Sequence, residues 1–199
     1  MRLRAITSAR GRFRSVPVCE GAIMLSPQTL SDSDRRVVAA WAADCAERVL
    51  VLFEQEAPHD HRARDGIARA RAFARGELQT ASEIRLRFVA GRAAQAATSP
   101  AGKAAARAAG QASGVAHMGA HALGAAAYAA RAADLAAPGD GFQEIAWQLE
   151  NMSQPVRAAL RQLPILGANS SGPLGSGLLA SGALGENIRI LQAALNEAS

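Results

Sequence analysis

The chain has 199 residues, a formal net charge of +5 and 49% hydrophobic residues, which suits one domain with an appendage and excludes a large multidomain assembly. Alanine supplies 48 residues and aromatics only 4%, so the expected fold class is all-α, a compact bundle of about five to six Ala-rich helices in place of large sheets. Two cysteines, Cys19 and Cys45, provide no disulfide framework and exclude a disulfide-built secreted scaffold.

Residues 1–24 carry five arginines, Arg2, Arg4, Arg10, Arg12 and Arg14, against Glu20. They lack the apolar run of a secretory signal, and read as a disordered basic extension or a mis-assigned start upstream of Met24. A helical domain over 25–163 follows. Ser31 with Asp34 three residues on is a capping box that opens a helix to about Glu56, with Pro58 ending it. Val38, Trp41, Cys45, Val49 and Leu52 form its apolar stripe, with Asp44, Glu47, Arg48 and Glu54 beside or opposite it. Asp44 and Arg48 stand at pairing distance along the helix.

His59-Asp60-His61 leads into a second helix, 62–75, with Ile67, Ala70, Phe73 and Ala74 inward and Gly76 at its C-terminal cap. Thr80 and Glu83 repeat the capping-box pattern and predict a third helix fading near Thr98, with Ile84, Phe88 and Val89 inward. Ser99-Pro100 opens an Ala-rich stretch to about Ala136, whose glycines predict a break between 110 and 125. Gly110 and Gly114 allow another helix to approach closely. A turn at 138–141 precedes a helix from Phe142 to about Met152, and Pro155 restarts a short one with Val156, Leu160 and Leu163. Residues 164–185, rich in Gly, Ser and Leu and uncharged, read as a flexible linker. Residues 186–199 read as a short amphipathic helix on Ile188, Leu191 and Leu195.

Charge is polarised along the body. Residues 31–61 hold three arginines against seven acids, whereas 62–107 hold nine arginines and Lys103 against three acids. Arg64, Arg71, Arg75, Arg85 and Arg92 could contact phosphates, but no exposed aromatics interleave with them. Pairing with the acidic first helix, or a solvated face, explains segment 62–92 better than nucleic-acid binding.

His117 and His121, spaced i, i+4, would share one helix face and could bind a metal, with a third ligand from His59, His61, Asp60, Asp44 or Glu47. Met118 stands where a zinc protease needs its glutamate, so that chemistry is absent. Hydrogen bonding in a polar seam, or a partner surface, is the plainer role of the pair. No cofactor, no catalytic triad, no phosphate loop and no membrane-spanning helix is expected, and the location expected is cytoplasmic.

The run SDSDRRVVAAWAADCAERVLVLFE from Ser31, ARDGIARARAFARGE at 63–77, AARAAGQASGVAHMGAHALGAAAYAARAA at 105–133 and WQLENMSQPVRAAL at 147–160 together resemble the Imm-five-like domain family, assigned as immunity proteins of bacterial polymorphic-toxin systems. The resemblance implies a helical, non-catalytic domain that neutralises a cognate protein toxin. The basic extension and the Gly/Ser tail depart from the family pattern. The partner-binding candidates are Asp44, Glu47, Arg48, Glu54, His117 and His121. Homo-oligomerisation through the Gly/Ala-rich helix or the C-terminal helix is a further expectation.

Overall fold

The computed structural model describes residues 26–86 and 89–197, so the extension 1–24, Cys19 and the expected core residue Phe88 lie outside the described residues. The first helix, α1 (Asp32–Glu54), starts as the capping box predicts. Ser31 Oγ accepts the Asp34 N–H at 3.1 Å and donates to the Asp34 carboxylate at 2.7 Å, satisfying a donor that the first helical turn leaves open. Val38, Trp41, Cys45 and Val49 are buried along its inner stripe. Next comes α2 (Arg62–Ala74), which closes on Gly76 at φ +82°. The Gly76 and Glu77 N–H groups reach the Phe73 and Ala72 carbonyls, each at 3.0 Å, a two-bond C-terminal closure that needs a left-handed residue.

Over the stretch expected to form one helix fading near Thr98, the described residues are helical as α3 (Thr80–Leu86) and α4 (Val89–Arg92), with residues 87 and 88 outside the described residues, and the helix gives way to a 3-10 turn at Ala93–Gln95. Its capping box does not form. The Thr80 hydroxyl donates to Asp32 at 3.1 Å, and Glu83 is buried against Arg69 at 2.7 Å, because a buried carboxylate gains more from a guanidinium than from one backbone amide. Val89, expected inward, is 39% exposed, and Ala90 takes the buried place.

At the centre lie α5 (Pro100–Gly114) and α6 (His121–Ala136), broken at 115–120 within the predicted interval. They make the most extensive helix-to-helix contact among the described residues. Ala105, Ala108, Ala109 and Ala112 of α5 and Ala122, Ala125, Ala126 and Ala129 of α6 are fully buried, and such small side chains let helices approach closely. Gly110 extends this to backbone contact: a Cβ there would lie 2.7 Å from Gly91 Cα. Around this hairpin pack α1, α2 and α4, together with α7 (Asp140–Glu150) on α6, α8 (Gln154–Arg161) on α1 and α9 (Gly182–Glu197) on α6. The fold is all-α, with nine α-helices among the described residues. The count includes α9, expected as a separate helix beyond the bundle. Gly139, at φ +97°, starts α7 two residues before Phe142.

Residues 164–185 are not a free linker. Leu174 and Leu179 are buried, and the side chain of Gln28, itself 1% exposed, donates to Ser171 O at 2.7 Å and accepts from Leu174 N at 2.9 Å. The leucines bury singly, without the period that marks a helix or strand. On α9, Ile188, Leu191 and Leu195 are buried. The apolar faces of the Ala-rich hairpin and of α9, expected to serve self-association, are thus covered within one chain. No helix among the described residues is long and apolar enough to cross a membrane.

Candidate functional site

One face of α5 carries Arg107, Gln111 and Gly114 at helical spacing, and the break after Gly114 turns the chain back beside it. A Cβ on Gly114 would lie 3.0 Å from the His121 ring, so the glycine makes room for the imidazole. The Gln111 side-chain amide hydrogen-bonds His121 Nδ1 at 2.8 Å. Gly124 on α6 in turn leaves room for the Gln111 amide, since a Cβ there would lie 3.0 Å from Gln111 Cδ. Two glycines and a glutamine therefore fix one imidazole.

His121 opens α6 and His117 sits in the turn before it. The two rings do not share a helix face, contrary to the spacing argument, because the helix that argument assumed is interrupted. They do line one cleft of about 960 Å³, formed by α4 and the 3-10 turn, α5, the 115–120 turn, α6 and residues 172–179. Arg92, Gln95 and Arg107 add polar groups, while Met118, Pro173, Leu178 and Leu179 make apolar wall. Its lining among the described residues contains no Asp, Glu, Ser, Thr or Cys. Tyr128 is buried at its side, with the Arg107 guanidinium 6.0 Å from its ring centroid. Burial pushes the Tyr128 hydroxyl pKa up, against the smaller pull of Arg107, and keeps it a proton donor.

The cleft walls are joined by residues 28 and 29. Ala120 N donates to Gln28 O and Gly119 N to Thr29 O, each at 3.0 Å, while the Gln28 side chain holds Ser171 and Leu174. Gly172, at φ +83°, lies so close that a Cβ would be 2.6 Å from Gln28 Oε1. One buried glutamine thus ties the histidine-bearing turn to the C-terminal arm.

The α1 candidates lie elsewhere. Asp44 and Glu47 both accept from Arg71, Asp44 at 2.7 Å, and that bond holds the Glu47 carboxyl below its ordinary pKa. Glu54 takes Arg64 through two bonds of 2.6 and 2.7 Å. Arg48 does not pair with Asp44: it donates to buried Glu144 at 2.8 Å and lies 3.9 Å from the Trp147 ring centroid. A desolvated carboxylate outcompetes an exposed one for the same guanidinium. None of Asp44, Glu47, Arg48 or Glu54 lines the histidine cleft.

The basic segment is largely spent in the same way, Arg64 on Glu54, Arg71 on Asp44 and Glu47, and Arg75 on Glu77 at 2.6 Å. No group of three or more His, Cys, Asp or Glu positioned to hold a metal occurs among the described residues. Sequence reasoning missed Gln28, Arg107, Gln111, Tyr128 and the 172–179 wall. The spacing of Arg107, Gln111 and Gly114 was a usable signal, whereas the part played by Gln28 depends on contacts more than 140 residues apart.

A family model described as Imm-5 like putative immunity protein matches residues 28–155. No curated protein and no solved structure matches the chain.

Proposed function

The chain belongs to the Imm-5 like family, and on that premise we propose that it is an immunity protein that binds a cognate protein toxin in the cytoplasm and neutralises it by occlusion, without catalysis. The family match over residues 28–155 is the observation that carries this reading. The chemistry of the cleft supports it. Its described lining carries no Asp, Glu, Ser, Thr or Cys, so a carboxylate base or a nucleophile of those types is not among its groups. What it supplies is donors, apolar wall and shape, the makings of a recognition surface. The acidic face of α1 is a weaker candidate for contact, since Arg71 and Arg64 already neutralise Asp44, Glu47 and Glu54.

Co-expression with any toxin encoded beside its gene tests the reading. Growth is expected to be restored, with a stoichiometric complex from which denaturation and refolding release active toxin. Rescue accompanied by covalent alteration of the toxin, or rescue without any complex, would overturn occlusion.

A further inference from the structure

Among the described residues, arginine is almost fully spoken for. Among those whose side chains are described, nine form ion pairs with carboxylates: Arg35, Arg36, Arg48, Arg62, Arg64, Arg69, Arg71, Arg75 and Arg131. Arg157, Arg161 and Arg189 donate to backbone carbonyls. Arg92 and Arg107 do neither among the described residues, and both line the histidine cleft. A guanidinium left outside the internal pairing scheme is solvated and ready for an anion, and Arg92 and Arg107 bring two of them to one cleft.

Resting on the immunity reading, we infer that this cleft receives an acidic segment of the partner protein, its carboxylates taken by Arg92 and Arg107 and its apolar side chains by Met118 and Leu178. The wall argues for a peptide over a small anion. Leu178 is 66% exposed at the edge of the cleft, and a large exposed leucine beside unpaired arginines suits a protein surface better than an enclosed ligand pocket. The volume, about 960 Å³, admits several side chains at once. Residues 172–179, which bring Leu178, lie outside the segment that matches the family, so this part of the recognition surface belongs to the C-terminal arm.

The test uses the full chain and the histidine ring resonances of His117 and His121, titrated with the capped peptide acetyl-Leu-Asp-Leu-Asp-Leu-amide, its asparagine counterpart and inorganic phosphate at matched ionic strength. The acidic peptide is expected to shift both histidines saturably, with the asparagine peptide about tenfold weaker or more. The double variant Arg92→Gln/Arg107→Gln and the separate Leu178→Asp, all at exposed positions, should each weaken the acidic peptide by a similar factor, while Leu178→Lys, which loses the apolar contact but adds a cation, should weaken it less than Leu178→Asp. No shift, or equal shifts from the two peptides, would overturn the inference. Saturation by phosphate with the acidic peptide inert would overturn the peptide as occupant. The same variants in the toxin co-expression assay separate the two readings. Undiminished rescue by the double variant removes the cleft as the docking face and leaves immunity standing; peptide binding without rescue from any toxin removes immunity and leaves the acidic-peptide receptor.

Discussion

Glu56 holds the end of α1 against the start of α5 through one carboxylate. It accepts from Thr98 N at 2.7 Å, Thr98 Oγ1 at 2.6 Å and Ser99 N at 2.9 Å, and from the Ser99 hydroxyl, which itself caps α5. These donors, the Ser99 hydroxyl foremost, lower its pKa from 4.5 to about 2. A carboxyl whose pKa is lower folded than unfolded contributes stability above its unfolded value and loses it as pH falls through the folded value. Glu56→Gln is therefore expected to be less stable than the parent at neutral pH, with the gap in urea midpoint narrowing between pH 4.5 and 2. Gln28 has the same importance for the cleft. Gln28→Ala leaves the Leu174 N–H and the Ser171 carbonyl without their partner, at a cost of about 2–3 kcal/mol. Faster hydrogen exchange at Leu174 than at α1 amides would register the loosened arm.

The α5–α6 hairpin is where small residues set the geometry. Gly110→Ala directs a methyl group into the Gly91 backbone, and the forced separation of α4 from α5 should cost about 1–3 kcal/mol by thermal or denaturant unfolding. Between α1 and α7 the tie is polar. Trp41 Nε1 donates to Gln148 O at 3.1 Å, and Arg48 reaches Glu144, which is 5% exposed. Arg48→Met leaves that carboxylate buried and unpaired, so a loss of about 2–4 kcal/mol is expected, recovered in large part by adding Glu144→Gln. At this scale the sequence was informative where a signal was local. The Ser31 and Ser99 caps, the Gly76 closure and the stripe of α1 were legible because each depends on residues within a few turns. The engagement of Thr80 with Asp32 and of Glu83 with Arg69, and the choice of Glu144 by Arg48, were not, because tertiary partners outcompeted the local ones.

Among the described residues the molecule is an alanine hairpin dressed by seven further helices, with a cleft in which Arg92 and Arg107 meet two histidines. The all-α class followed from composition. The cleft did not, because its walls come from residue ranges as distant as 91–128 and 172–179 and are joined by Gln28. Of the residues expected to meet a partner, His117 and His121 line it, while Asp44, Glu47, Arg48 and Glu54 are engaged with partners inside the chain. The measurement that bears most directly on neutralisation by occlusion is the mass and activity of the cognate toxin purified with this protein. The account predicts a stoichiometric complex containing chemically unaltered toxin, inactive while bound and active once released. A toxin that leaves the encounter covalently changed, or that is silenced without forming a complex, would contradict it.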